Sequence, residues 1–193
     1  MTDYVVAIEL SWAAWYASWM IAAAFTAATV KRARSTIVVY LLEVPGFFLL
    51  LATSAKGAPV APVWQPSALM GWGFFVLNLP GFGFAWWARL SLGRLWSGTI
   101  TRKQDHYLVD TGPYRLVRHP IYTGLMASVV MTVAAKGTML ALFGGVLLMV
   151  GWTIKARFEE RFLAKELGAA RYQSYRARVP MFLPLGSKNG TVP

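Results

Sequence analysis

Five apolar runs alternate with polar segments along the chain: Leu10 to Val30, Ser35 to Ala55 with Glu43 its only charge, Ser67 to Ala88, Pro120 to Ala135 and Gly137 to Ile154. A helix rises about 1.5 Å per residue, so about 20 residues cross a hydrocarbon core of roughly 30 Å. The pattern predicts an all-α, polytopic membrane protein with five transmembrane helices. The fourth run is short and needs part of "VRHPIY" at the interface to complete it. Little more than "AKG" separates the last two runs, which predicts an antiparallel helical hairpin. That hairpin brings "RHPIY" at the start of the fourth helix near "KARFEER" at the end of the fifth.

Past the last run the helical period continues, with Phe158, Phe162, Leu163 and Leu167 on one face, and predicts a stop near Gly168. A short amphipathic helix carrying Tyr172 and Tyr175 is expected to lie along the interface as far as Pro180. Between the third and fourth runs, "SLGRLWSGTITRKQDHYLVDTGPYRLVR" is polar and punctuated by glycine, and reads as a structured connector. Residues 1–90 thus form a lipid-facing scaffold of three helices. Residues 91–193 hold most ionisable groups and are the expected catalytic part.

Composition agrees with a membrane class: of 193 residues 56% are hydrophobic and 14% charged, against about 25% charged in soluble domains. The net charge of +11 is placed asymmetrically. Lys31, Arg32 and Arg34 follow the first run and only Lys56 the second. Arg89, Arg94, Arg102, Lys103, Arg115 and Arg118 follow the third, only Lys136 the fourth, and the remainder lie from Lys155 onward. By the positive-inside rule the amino terminus is expected outside, and the connector and carboxyl terminus in the cytoplasm of a bacterial inner membrane. Basic residues facing an anionic leaflet explain the high pI without nucleic acid. "MTDYVVAIEL" begins with acids, unlike a cleaved signal, so the first helix is expected to be retained.

The absence of cysteine removes disulfides and thiolate sites, and two histidines make a zinc site improbable. No Walker loop occurs, nor a G-x-G-x-x-G between a strand and a helix. The tryptophans read mainly as interface belt and packing, and "NLPGFGF" as a kink in the third helix.

Three features carry candidate chemistry, each with a plainer alternative. In "RHPIYTG" Pro120 fits a helical first turn with His119 near the N-cap, where free N–H groups suit an anion. Tyr122 then presents a ring and hydroxyl to the same place, and Gly124 permits close helix approach. The alternative is an interfacial anchor of Arg and Tyr. In "FEE", Glu159 and Glu160 would bind a cation if they face His119 and Tyr122 across the hairpin. Otherwise they form surface pairs, Glu159 with Lys155 and Glu160 with Arg157. Glu43 is an ionisable group within an apolar run and either functional or a buried structural acid.

Taken together, "LGRLWS", "DHYLVDTGPYRLVRHPIYTG" and "FEERFLAKELGAARYQSYRARVPMFLP" resemble the integral-membrane isoprenylcysteine carboxyl methyltransferases and the related phospholipid N-methyltransferases, over about residues 90–184. The resemblance implies S-adenosylmethionine bound between the last two membrane helices and the connector, with a lipid-like or small amphiphilic acceptor entering from the bilayer. It implies cofactor contacts from His106, Tyr107, Leu108, Val109, Tyr114, His119, Pro120, Ile121, Tyr122 and Glu159. Where the isoprenylcysteine enzymes carry an arginine for the substrate carboxylate, this chain has Lys155, which keeps the charge but loses the bidentate fork.

The chemistry itself asks for donors to the methionyl carboxylate, for which Arg118 and His119 are candidates, and acceptors for its ammonium, from Glu159 or Glu160. Rings at Tyr114 and Tyr122 suit the adenine or the sulfonium. Lys155, Glu160 and Arg118 are the candidate catalytic residues. An amine or thiol acceptor would need a base, from Glu160 or His119. Expected partners are a lipid-like substrate and membrane lipids, without nucleic acid or metal. Two rivals remain: an NADPH-dependent membrane reductase of the sterol-reductase type, with Arg102, Lys103 or Arg115 at the 2′-phosphate, and a non-enzymatic lipid-binding membrane protein.

Overall fold

The computed structural model describes residues 2–26, 29–32, 37–52, 62–97, 101–103 and 108–184. Six α-helices are found among them: α1 (Asp3–Ala23), α2 (Ile37–Leu51), α3 (Ala68–Leu92), α4 (Pro120–Lys136), α5 (Met139–Leu167) and α6 (Ala169–Arg178). Two short strands, β1 (Thr29–Arg32) and β2 (Thr101–Lys103), pair antiparallel and tie the loop after α1 to the connector.

The count of five spans is corrected. Three helices, Asp3–Ala23, Ala68–Leu95 and Met139–Glu166, are long and apolar enough to cross a bilayer, while Val39–Leu51 and Pro120–Lys136 are shorter apolar helices. The 17 residues of α4 rise only about 25 Å and the 15 of α2 only about 22 Å, short of the roughly 30 Å core. Hydropathy counts apolar residues whether or not they join one helix. The first run began at Leu10, whereas α1 starts at Asp3 and ends seven residues before Val30. The orientation read from alternating loops assumed five crossings, and three long helices do not test it. What stands is an all-α, multi-spanning membrane protein with about three long apolar helices.

The most extensive packing pairs α3 with α4 and α2 with α5. Both seams are made by glycine. A Cβ at Gly124 would collide with the Gly81 carbonyl oxygen, and one at Gly144 with Leu50 N. The backbones therefore touch, which side chains would prevent. Pro80 sits inside α3 without ending the helix. Beside it, Asn78 is fully buried and donates to Ser11 Oγ at 3.1 Å.

Trp12, Trp15 and Trp19 follow one face of α1 and are buried, so much of the expected interface belt is core. Trp15 stacks on Trp19 at 4.7 Å and Trp12 meets Phe82 edge-on at 4.8 Å. Trp12 also donates from Nε1 to Thr132 at 2.9 Å. At the end of the bundle formed by the start of α1 and the end of α4, Lys136 pairs with Glu9 at 2.7 Å.

Thr138 caps α5 by accepting from Ala141 N at 3.2 Å, and Gly137 with φ 62° makes the turn of the α4–α5 hairpin. Helix α5 runs on past its apolar part to Gly168, where φ of 97° lets the chain reverse into α6. Helix α6 does not simply lie on the interface. Tyr172 and Tyr175 are buried, and the Tyr175 hydroxyl donates to the Tyr114 carbonyl at 2.7 Å, closing α6 over the connector.

Candidate functional site

The hairpin places the start of α4 beside the middle of α5. Pro120 occupies the first turn of α4 with His119 as N-cap, whose side chain makes no capping bond. The backbone preceding α4 is held from outside: Arg118 N donates to Pro180 O at 2.9 Å and His119 N to Met181 O at 3.1 Å. Thr123 Oγ1 adds a bond to Phe182 O at 2.9 Å. The segment after α6 is therefore a strap across the entrance to α4. This strap leaves the imidazole and the Tyr122 ring facing α5.

Two acids on α5 meet them. Tyr122 donates from its hydroxyl to Glu159 Oε1 at 2.7 Å. His119 stands between the acids, Nε2 3.2 Å from Glu160 Oε1 and Nδ1 3.7 Å from Glu159 Oε2. Arg118 donates from Nε to Glu160 Oε1 at 2.7 Å and from Nη1 to the carbonyls of Val179 and Arg176 at 2.5 and 3.2 Å. Neither acid takes the expected surface partner as its close contact. Glu159 belongs to the Tyr122 side and Glu160 to a buried clasp joining α4, α5 and the end of α6.

Below this clasp opens a cavity of about 420 Å³. Arg118, His119, Ile121, Tyr122, Lys155 and Glu159 line it, as do Leu108, Val109 and Tyr114 of the connector. Tyr122 lies nearly parallel to Trp152 at 6.4 Å and to His119 at 5.6 Å, giving a tier of rings along one wall. Lys155 Nζ is 5.7 Å from the centre of the Tyr122 ring and 3.5 Å from Glu43 Oε1. Burial raises the Tyr114, Tyr172 and Tyr175 phenols above their ordinary value, so all three are neutral donors.

Among the candidates named from sequence, Glu160 and Pro120 do not line this cavity: Glu160 faces Arg118 and His119, and Pro120 is buried as the helix start. His106 and Tyr107 lie outside the described residues, and the side chains of Arg102 and Lys103 are likewise not described. Sequence reasoning missed Trp15 and Trp19 of α1 and Tyr40 and Phe47 of α2, which form the opposite wall with Glu43, the acid it had left open between a functional and a structural role. The i, i+4 spacing of Trp15 and Trp19 and the lone acid in an apolar run were the available signals. Arg89 was also passed over as a loop cation. It is buried, donates to Ala22 O and Gly93 O at 2.7 Å each, and lies 4.3 Å from the Trp96 ring centre, joining α1 to α3 at the cavity rim.

The donor set suits a group that is cationic and aromatic at once. An acid fixed by a phenol faces one end, stacked rings form a wall, and indoles exclude water. Among the described residues no cluster of three or more His, Asp or Glu is arranged to hold a metal ion.

Residues 75–165, which contain α4, most of α5 and much of α3, match the sequence profile of the Isoprenylcysteine carboxyl methyltransferase (ICMT) family. The chain is 31% identical over 99 residues to the cobalt-zinc-cadmium resistance protein CzcN of Cupriavidus metallidurans, covering 49% of this chain and 44% of that one. It is 29% identical over 130 residues to the protein-S-isoprenylcysteine O-methyltransferase of Schizosaccharomyces pombe, covering 62% and 55%. The chain thus spans about half the length of these curated relatives.

Proposed function

We propose that the chain, whose residues 75–165 match the isoprenylcysteine carboxyl methyltransferase family, transfers a methyl group from S-adenosylmethionine to a lipid-like or small amphiphilic acceptor. The observation that carries this reading is the cavity wall on which Glu159, held by Tyr122, faces a tier of aromatic rings. When bound, the cofactor supplies an electrophilic methyl on a sulfonium.

The chain's own residues supply place and charge. Glu159 accepts from the cofactor's ammonium, and the Tyr122 hydroxyl fixes its carboxylate for that role. His119 and the α4 N-terminus offer donors to a carboxylate. Tyr122 and Trp152 present ring faces to a cation, worth about 2 kcal/mol when desolvated. Leu108, Val109 and Tyr114 cover the adenine side, with His106 and Tyr107 preceding them in the chain. Arg118 and Glu160 act as the clasp that holds α6 and the strap in position. Lys155 belongs to the acceptor end. Positioning of this kind supplies about 7–11 kcal/mol of a displacement barrier.

Tyr16, Met20 and Tyr40 line the cavity yet are 60%, 52% and 43% exposed on the outer faces of α1 and α2. They mark a lateral entrance for an acyl or prenyl chain. Arg89, Arg118, Lys155, Arg157 and Arg161 gather at this end of the bundle, which supports a site at the cytoplasmic leaflet of a bacterial inner membrane. Residues 91–193 then act as the catalytic part on a scaffold of residues 1–90.

Labelled methyl transfer into extracted host lipids by the purified protein tests the reaction. Incorporation into a lipid fraction supports it. Stabilisation against heat by NADPH instead of S-adenosylhomocysteine would replace it with the reductase reading, and stabilisation by neither with simple lipid binding.

A further inference from the structure

The β1–β2 ribbon takes no part in the chemistry described so far. Four of its seven residues are cations, Lys31 and Arg32 on β1 and Arg102 and Lys103 on β2, and none is an acid. The antiparallel register sets Lys31 opposite Arg102. Like charges directly opposite each other on paired strands are destabilising. A two-stranded ribbon is marginal in water even without that penalty. The pairing therefore calls for an anion that neither strand supplies.

The place of the ribbon in the fold says which anion. Arg89 of α3 donates to Ala22 O of α1, so the two helices end together, and each strand follows one of those ends. Trp19, Leu92, Leu95 and Trp96 line the cavity at the same end. Ile21 and Phe25, on the last turn of α1 and just beyond it, are 68% and 73% exposed, apolar groups where a membrane helix leaves the hydrocarbon. A basic ribbon beginning four residues after Phe25 fits the phosphate layer of an anionic leaflet. Strand β2 also belongs to the connector. Only four residues separate Lys103 from Leu108, which with Val109 and Tyr114 lines the cavity, so whatever holds β2 in register steadies the start of that wall.

We propose that the β1–β2 ribbon docks on the phosphates of anionic glycerophospholipids and that this docking tightens cofactor binding. The docking stands on the ribbon, and its effect on the cofactor rests on the methyltransferase reading above. A phosphate layer neutralises the opposed Lys31 and Arg102 and so stabilises the pairing. The paired β2 orders the connector, and an ordered connector meets the cofactor without the entropic cost of arranging itself. The coupling is reciprocal, so bound cofactor tightens the docking in turn.

The test uses the full-length protein in nanodiscs of phosphatidylcholine, alone or mixed with phosphatidylglycerol. Hydrogen exchange of the amides of residues 29–32 and 101–103 reads docking without cofactor, and calorimetry of S-adenosylhomocysteine reads the coupling. With phosphatidylglycerol, exchange should slow and affinity should rise about fivefold or more, and both gains should shrink in high salt. Lys31→Glu sets opposite charges in register. In phosphatidylcholine alone it should reach the protection and affinity that the parent protein shows only with phosphatidylglycerol, and gain little more from that lipid. A lipid gain as large as the parent's in this variant overturns the role of the ribbon. Equal exchange of the parent protein in the two discs overturns the docking, and this comparison holds even if the variant does not fold. Slower exchange with unchanged affinity overturns the coupling. Slower exchange with no S-adenosylhomocysteine binding in either disc sinks the cofactor reading and leaves the docking standing. Inorganic phosphate that reproduces both gains in phosphatidylcholine discs overturns the lipid as the source of the anion.

Discussion

The Tyr122 hydroxyl, on the first turn of α4, donates a 2.7 Å hydrogen bond to Glu159 Oε1 on α5, 37 positions later in the chain. One short turn at Gly137 makes this meeting possible, since it folds α5 back along α4. The bond leaves the second oxygen of Glu159 near His119 Nδ1, at 3.7 Å, so the acid is oriented from two sides.

Tyr122→Phe keeps the ring tier and removes only this bond. A hydrogen bond to a charged group contributes about 1.5–3 kcal/mol. If about half is expressed in ligand affinity, S-adenosylhomocysteine binding falls about four- to twelvefold. Calorimetry on the purified variant checks this, and unchanged affinity would show that the phenol does not orient Glu159 for the ligand.

Arg118 joins Glu160 to the carbonyl end of α6. Arg118→Ala leaves the buried Glu160 with His119 at 3.2 Å and the exposed Arg176 at 3.8 Å, without its closest partner. Breaking such a pair costs about 3–5 kcal/mol, so Tm should drop by several degrees and protease should cut first near α6. Arg118→Lys should recover only part of the loss, because one ammonium cannot replace the fork. Thermal unfolding and limited proteolysis of both variants measure the effect.

The glycine seam makes a contrasting prediction. Gly124→Ala pushes a methyl against the Gly81 backbone, while Gly73→Ala and Gly83→Ala point into open space. The first should destabilise markedly. The other two should leave Tm unchanged or slightly higher, since Ala favours helix over Gly by about 1 kcal/mol.

Much of this was readable in the chain. "RHPIY" and "FEE" became neighbours because a short hairpin leaves no other course, and Gly168 ended α5 where the period stopped. The number of spans was not readable, because hydropathy cannot say that α2 and α4 stop after 15 and 17 residues. Nor was the far wall of the cavity. Trp15 and Glu43 reach it through the tertiary packing of α1 and α2, which no local pattern encodes. The division of labour between adjacent acids was equally hidden. Glu159 and Glu160 differ by one position, about 100° around α5, so one faces the cavity and the other faces Arg118.

Alkaline pH should loosen the α6 cover. Burial raises the phenols of Tyr172 and Tyr175 above the ordinary value of about 10. Their contribution is whole below that value and is lost as pH rises from it towards the folded-state value. Tm should therefore decline more steeply above about pH 10, and Tyr172→Phe should decline less than the parent protein. A pH series of thermal melts on the two proteins reads the difference.

The most direct measurement is a calorimetric titration of S-adenosylhomocysteine into the purified protein and into Glu159→Ala. The account predicts one binding site per chain in the parent protein and a loss of at least tenfold in affinity in the variant. Absence of binding to the parent protein, or equal affinity in the two, would contradict it.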